Sequence, residues 1–262
     1  MPAETPSSRI AAAVGRRFGA ALEVPSALPN LDALAALNER SVCRRYRPDP
    51  VPEALVQLLC AAALAAPTKS DLQQATIVRL ADPAKRAAVC ALLPGSPWLV
   101  QAPELLVFCA DGWRLRRLFA RKGVGFPNEH LDAFFNAAVD AGIALSAFVS
   151  AAELTGLGTC PISQIRDHVA RIDELLGLPD WVVPVAGLAL GYPEAKEPMS
   201  ARLSLSATVH TDRYDTKAIE RELDAYDARR GRDWTGDKVR QYSSVMRAGF
   251  GAHVGRKRFR LV

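Results

Sequence analysis

The hydrophobic pattern alternates between unbroken apolar runs and segments of helical period. Apolar runs of strand length occur at ATIVRL (75–80), ELLVFCAD (104–111) and within WVVPVAGLALGYP, where the strand ends at Gly191. All three read as strands, and the continuous runs at 104–111 and before Gly191 predict strands buried on both faces. Helical spacing marks four other segments. NLDALAALNE is capped by Asn30, and PEALVQLLCAAALAAP has Pro52 in its first turn and is ended by Pro67. DPAKRAAVCALLPG is opened by Asp82 and Pro83 and stopped by Pro94-Gly95, and RDHVARIDELLGL is amphipathic. The longest predicted helix runs from Asn128 to Leu154, with Asn128 as its cap and Gly156 as its stop. Its middle, AGIALSAFVSAA, is apolar all the way round. Such a helix must be covered on every side, as a central helix or at a subunit interface. Asn136 and Asp140 within it argue against a membrane span. Apolar residues thin out after His210, so the last segment predicts an arm over the body or over a second subunit. The alternation of helix and strand leaves an α/β or an α+β class.

Composition narrows this little. The chain has 262 residues, 49% hydrophobic and 23% charged, an ordinary globular balance that one domain can accommodate. Residues 211–262 hold 13 Lys plus Arg against 8 Asp plus Glu, which accounts for the whole net charge of +5. A basic tail suits nucleic acid, an anionic membrane, or an acidic stretch of a partner subunit. The eight acids and the lack of an aromatic ladder argue against nucleic acid. The five cysteines form no C-x-x-C pair, as expected of reduced thiols in a cytoplasmic protein. The first 24 residues lack the apolar core of a signal peptide and read as a weakly amphipathic extension.

Several chemistries have no sequence basis. There is no G-x-S-x-G elbow and no Walker loop, and GLGTC carries two glycines of the dinucleotide fingerprint without the third. His130, His168, His210 and His253 show no metal-ligand spacing. Any redox or transfer chemistry would belong to a bound cofactor. Arg40, Arg44 and Arg45 crowd into RSVCRRY. Such a cluster is either a solvated basic turn or an anion site.

Four stretches carry a resemblance in the correct order: RSVCRRYRPDPV, APTKSDLQQ, AAELTGLGTCPISQIRD, and VPVAGLALGYPEAKEPMSARLSLSATVHTDRYD. Together they resemble the FMN-dependent nitroreductase family, and DKVRQYSSVMRAGFGAHVGRKRF resembles its NADPH-using group A branch. The resemblance implies an α+β three-layer sandwich with a mixed, mainly antiparallel sheet, forming an intertwined homodimer with FMN at the interface. It divides the chain into an N-terminal extension (1–30), an FMN-binding domain (31–210) and a C-terminal arm (211–262).

In the family pattern the arginine cluster holds the FMN phosphate, here Arg40 and Arg44 with Ser41 and Val42. The register is open by one residue, since Ser41 falls on the family's second arginine when aligned from PDPV. Arg202 matches a distal arginine, Ser200 stands where a lysine is expected, and Lys196 is a possible substitute. Thr68, Lys69, Ser70, Asp71 and Gln73 correspond to the loop beside the isoalloxazine ring. Lys69 either tunes the ring by its charge or pairs with Asp71. Cys160, Pro161, Ile162 and Ser163 correspond to the segment covering the ring, with Gln164 replacing a frequent glycine. Arg232, flanked by Arg229 and Arg230, is the nearest match to an arginine for the NADPH 2′-phosphate. The implied activity is ping-pong electron transfer from NADPH (or NADH) to a nitroaromatic or quinone-like acceptor, with no catalytic nucleophile. Flavin reduction, reduction of another acceptor, and a non-catalytic flavin module are the alternatives.

Overall fold

The computed structural model describes residues 4–25, 27–243 and 248–259. The ends of the expected extension and arm (1–3 and 260–262) and residues 244–247 of SSVMRAGF lie outside the described residues. The chain divides into two compact units, residues 1–41 with 196–246 and residues 42–195 with 247–262.

The second unit is built on β1 (Ala75–Arg79), β2 (Glu104–Asp111), β3 (Gly158–Ile162) and β4 (Val182–Gly191), in the order β1-β2-β4-β3. Every pairing among the described strands is antiparallel, with one register shift between Phe108 and Cys109. β2 is buried at all eight positions, and the alternation of a strand sends its side chains into two cores. Leu106 and Phe108 pack with Val56, Leu59 and Phe148 from α3 (Glu53–Leu64) and α6 (Leu131–Leu154). Leu105, Val107 and Cys109 pack with Val89 and Ile172 from α4 (Pro83–Ala91) and α7 (Val169–Leu176). Helices therefore cover both faces, giving the expected α+β layers. Phe108 and Phe148 meet edge to face at 5.7 Å, the preferred aromatic geometry.

α6 begins three residues later than the sequence pattern predicts. His130, not Asn128, is its cap: the extended backbone at His130 lets its Nδ1 accept the Asp132 N–H at 3.3 Å. Asn128 instead donates to the Asp132 carboxylate. Gly156, left-handed at φ 79, follows the last turn as expected. One side of α6 is buried through Ala133, Ala137, Asp140, Ala144 and Phe148. Leu131, Phe135, Val139 and Ile143, four apart and so on one stripe, are exposed by 50, 61, 42 and 37%. α6 is long and apolar enough to cross a membrane by length and composition, but here it packs against α3 and β2.

Of the remaining helices, α5 (Trp113–Arg121) and α11 (Ala248–Arg256) belong to the second unit. Val254 and Phe259 join Ala133, Ala137 and Val183 in a small core. The first unit contains α1 (Pro6–Phe18), α2 (Leu31–Glu39), α8 (Leu205–Thr208), α9 (Thr216–Arg230) and α10 (Trp234–Ser243). The sequence beyond His210 is thus shared between the two units.

Candidate functional site

In the first unit, Arg40 follows the last turn of α2 and Arg202 lies on the stretch before α8. Both meet Arg17 of α1. Arg17 donates to the carbonyls of Asn38 (3.0 Å), Arg40 (2.5 Å) and Ser200 (3.3 Å), and its own carbonyl accepts the Arg202 N–H at 2.6 Å. Burial lowers the Arg17 pKa, and the like charges of Arg202 and Arg40 lower it further. The stretch carrying Arg202 is held at three successive carbonyls. Arg17 takes Ser200, Arg230 and Tyr226 take Ala201, and Arg229 takes Arg202. Glu222 accepts the Ser204 N–H at 2.7 Å. Arg202 itself is exposed and donates to Ser200 Oγ at 2.6 Å. Lys196 pairs with Glu39 at 3.6 Å.

The second unit holds the rest of the arginine cluster. Arg44 and Arg45 are exposed, and the Arg44 guanidinium lies 6.0 Å from the Trp98 ring centroid. The turn between them and β3 is stitched by the Cys43 N–H on the Thr159 carbonyl (2.9 Å) and the Tyr46 hydroxyl on the Cys43 carbonyl (2.6 Å). This explains a glycine of GLGTC, because a Cβ at Gly158 would lie 2.6 Å from Cys43 Sγ.

The 67–74 loop is strained and stapled. Ser70, Asp71 and Gln73 have φ of 50, 56 and 52°, a region that non-glycine residues enter at some cost. Asp140 of α6, 1% exposed, accepts the Lys69 N–H (3.1 Å) and the Gln74 N–H (3.0 Å). One carboxylate thus closes both ends of the loop and satisfies two backbone donors. Thr68 Oγ1 accepts the Gln73 N–H at 3.3 Å, and the Gln73 side-chain amide donates to Asp71. Lys69 does not pair with Asp71. Its ammonium lies 3.7 Å from Asp132, whose pKa is held down by hydrogen bonds from Asn128 and Asn136 and by the Lys69 charge. The cleft bordered by Ala63, Thr68, Gln73, Arg114, Asp140 and Ala144 measures about 60 Å³.

β3 lies at one edge of the sheet, opposite β1. Cys160 and Ile162 are buried, while Pro161 and Ser163 face outward. Proline suits an edge strand because it has no N–H to offer a further neighbour. Backbone donation from this segment therefore excludes Pro161. Gln164 accepts the Ser96 hydroxyl at 2.7 Å, giving this departure from the family pattern a local partner. Arg232 is exposed on the turn between α9 and α10. Asp227 fixes that turn by accepting the Trp234 and Thr235 N–H groups at 3.0 and 3.1 Å.

A family model described as the nitroreductase family matches residues 37–192. The chain belongs to the nitroreductase family. It is 32% identical over 206 residues to a Bacillus subtilis FMN reductase [NAD(P)H], covering 75% of this chain and 80% of that protein. It is 33% identical over 223 residues to an oxygen-insensitive NADPH nitroreductase of Salmonella typhimurium, covering 81% and 90%. Among solved structures, the hypothetical oxidoreductase YcnD from Bacillus subtilis superimposes with a TM-score of 0.83 at 28% identity over 88% of this chain and 98% of that one. The Vibrio harveyi NADPH:FMN oxidoreductase complexed with NAD+ superimposes with a TM-score of 0.77 at 26% identity, covering 86% and 97%.

Against the nitroreductase pattern, the structure brings Arg40 and Arg202 to one residue, Arg17, that sequence reading passed over. The available signal was Arg16-Arg17 in the last turn of an amphipathic segment. That segment lies ahead of the family match, so motif comparison could not reach it.

Proposed function

We propose that this nitroreductase-family chain is an FMN-dependent oxidoreductase that takes electrons from NAD(P)H and delivers them to nitroaromatic or quinone-like acceptors. The reading is supported by one observation: the backbones of Arg40 and Arg202, distant in sequence, are both held by Arg17, through the Arg40 carbonyl and the Arg202 N–H. Planar guanidinium donors suit a phosphate dianion, so two arginines carried on backbones fixed to one residue are of the kind that fits the flavin nucleotide's phosphate. Bound FMN supplies the two-electron chemistry, being reduced by NAD(P)H and reoxidised by the acceptor in separate visits.

The protein's own contribution is positioning. Arg40, Ser41 and Arg202 are assigned to the phosphate. Val42 and Arg44, which the family pattern also names for the phosphate, belong to the second unit. Thr68, Lys69, Ser70, Asp71 and Gln73 are assigned to the edge of the isoalloxazine. Asp140 preorganises this loop, so ordering it adds no further cost on binding. Cys160, Ile162 and Ser163, with the Pro161 ring, are assigned to its face. Arg232 is assigned to the 2′-phosphate of NADPH, and its exposure leaves its guanidinium accessible.

A homodimer belongs to the same reading. A cleft of about 60 Å³ beside Thr68 is too small to enclose a flavin ring, since ligand pockets span roughly 300–1,000 Å³. The exposed stripe Leu131, Phe135, Val139 and Ile143 on α6 is of the kind that a second copy would bury. The five cysteines form no disulfide among the described residues, which suits the cytoplasm.

The test is the absorption spectrum of the purified protein, followed by NADPH addition under nitrogen. Oxidised-flavin bands that bleach are expected. A colourless protein without affinity for FMN refutes the proposal. Turnover of free FMN in place of retained FMN would assign it as a flavin reductase.

A further inference from the structure

From Gly112 to Asn128, a stretch that includes α5, the chain carries four arginines, one lysine and no acid. Packing decides which of these charges face water. Arg116 is the inward one, 7% exposed. It donates through Nε and Nη2 to Glu129 at 2.7 and 3.1 Å, and through Nη1 to the Gly112 carbonyl at 2.9 Å. Its guanidinium lies 4.4, 5.0 and 5.3 Å from the ring centroids of Phe126, Trp181 and Phe259. A buried arginine held by a carboxylate and by rings fixes the rotation of α5 about its axis. Arg114, Arg117 and Arg121, three and then four apart, share the other face and are exposed.

This stripe begins at the 67–74 loop. Arg114 borders the cleft there together with Thr68 and Gln73. It is pinned in place, with Nε on Asp111 at 3.1 Å and Nη2 on the Thr76 hydroxyl at 2.7 Å and on the Ala75 carbonyl. Arg117 and Arg121 follow about 4.5 and 10.5 Å further along the axis, at a helical rise of about 1.5 Å per residue. The Arg117 guanidinium lies 5.6 Å from the Trp113 ring centroid, a contact that holds the charge in one orientation. The nearby acids are taken, Asp111 by Arg114 and Glu129 by Arg116. Among the described residues, neither Arg117 nor Arg121 pairs with a carboxylate. Two planar donor forks set along a line that leaves the flavin-edge loop suit an extended diphosphate better than a compact ion.

We infer that the outward face of α5 holds the diphosphate of the nicotinamide dinucleotide, with Arg117 and Arg121 as its ligands and Arg114 as the pinned start of the stripe. This rests on the reading above, in which FMN lies beside the 67–74 loop and is reduced by NAD(P)H. A nicotinamide stacked on that ring carries its diphosphate one ribose away. NADPH and NADH share the diphosphate, so the stripe serves both and does not choose between them. The test follows flavin bleaching by anaerobic stopped flow in the holoenzyme of the full chain. The donors are NADPH, NADH and a benzyl dihydronicotinamide, which has the same reactive ring and no phosphate. Each gives one hydride to the flavin and leaves as its pyridinium, so one readout serves all three. Rate against donor concentration separates Kd from the limiting rate. Wild type is compared with Arg117→Gln, Arg121→Gln, the double variant, and Arg171→Gln, an exposed arginine of α7.

The double variant is expected to raise Kd for NADPH and NADH alike by about tenfold to a hundredfold, with limiting rates within about twofold. Each single variant falls between the double variant and wild type, and Arg171→Gln matches wild type. The benzyl donor reduces all the proteins at one rate. Salt weakens NADPH binding less steeply in the double variant than in wild type. Unchanged Kd for both dinucleotides in the double variant, with the benzyl donor active, overturns the inference and leaves the flavin reading standing. A benzyl donor slowed as much as NADPH would mean a structural role only and overturn it too. A loss confined to NADPH would place its extra phosphate on α5 in place of the diphosphate, and the assignment would fail. A wild type without flavin, or with flavin that no donor bleaches, fails the flavin reading and this inference with it.

Discussion

Replacing Asp140 by alanine removes the acceptor at both ends of the 67–74 loop. The carboxylate is 1% exposed and takes the Lys69 and Gln74 N–H groups at 3.1 and 3.0 Å. Hydrogen bonds to a charged group contribute about 1.5–3 kcal/mol each, so the pair is worth about 3–6 kcal/mol. Relief of a buried carboxylate offsets part of this, leaving a net loss of about 2–4 kcal/mol. That is a large share of the roughly 5–15 kcal/mol that holds an ordinary domain together. The loop has little else to keep Ser70, Asp71 and Gln73 at positive φ, so the damage should be concentrated there. Urea denaturation should show a lower midpoint at constant slope. Amide hydrogen exchange should accelerate at Lys69 and Gln74 more than in β2, whose residues are wholly buried. Asp140→Asn keeps one acceptor and should fall between the alanine variant and wild type. A stability change below about 0.5 kcal/mol, the size of an ordinary surface substitution, together with unaltered exchange would refute the staple.

Three further outcomes are expected. Phe135→Glu places a charge in the middle of the exposed α6 stripe and should shift the chain toward monomer in sedimentation analysis; an unchanged assembly would move the interface elsewhere. Arg232→Ala should raise KM for NADPH and leave that for NADH unaltered, and an unchanged preference removes the assignment of Arg232. Burial lowers the His253 pKa below its usual 6.5, against the pull of Asp173, while Arg256 and Lys257 lower it further. The unfolded chain therefore takes up a proton that the native chain refuses. Stability is full above about pH 7 and falls as the pH drops through 6.5 toward the lower native value. His253→Gln should flatten that limb of the urea midpoint plotted against pH; a slope identical to wild type would assign it to other groups.

Much of the fold was legible before any coordinates. β2 and β4 follow from unbroken apolar runs, because a strand covered on both faces can carry few polar side chains. β1, half-buried at the other edge from β3, was legible from its β-branched residues. α4 follows from Asp82 and Pro83, since its cap bonds involve neighbours two and three residues away. The order of four motifs was enough to suggest the family. The start of α6 was misplaced because Asn128 and His130 can both cap, and local spacing does not choose between them.

Partnerships between distant segments had to wait for the fold. Lys69 pairs with Asp132 and Lys196 with Glu39, and neither match is written in the spacing of the loop that carries it. Asp140 looked like a stray charge in an apolar helix until two backbone N–H groups were found on it. Arg17 came to hold the backbones of Arg40 and Arg202 once Ile10 and Val14 had packed α1 against Ala35. The physical reason is common to all three. Periodicity and caps report how each residue satisfies its own backbone and its own burial, over a few positions of chain. Which charge meets which is decided by the packing of distant segments, and that is a property of the folded whole.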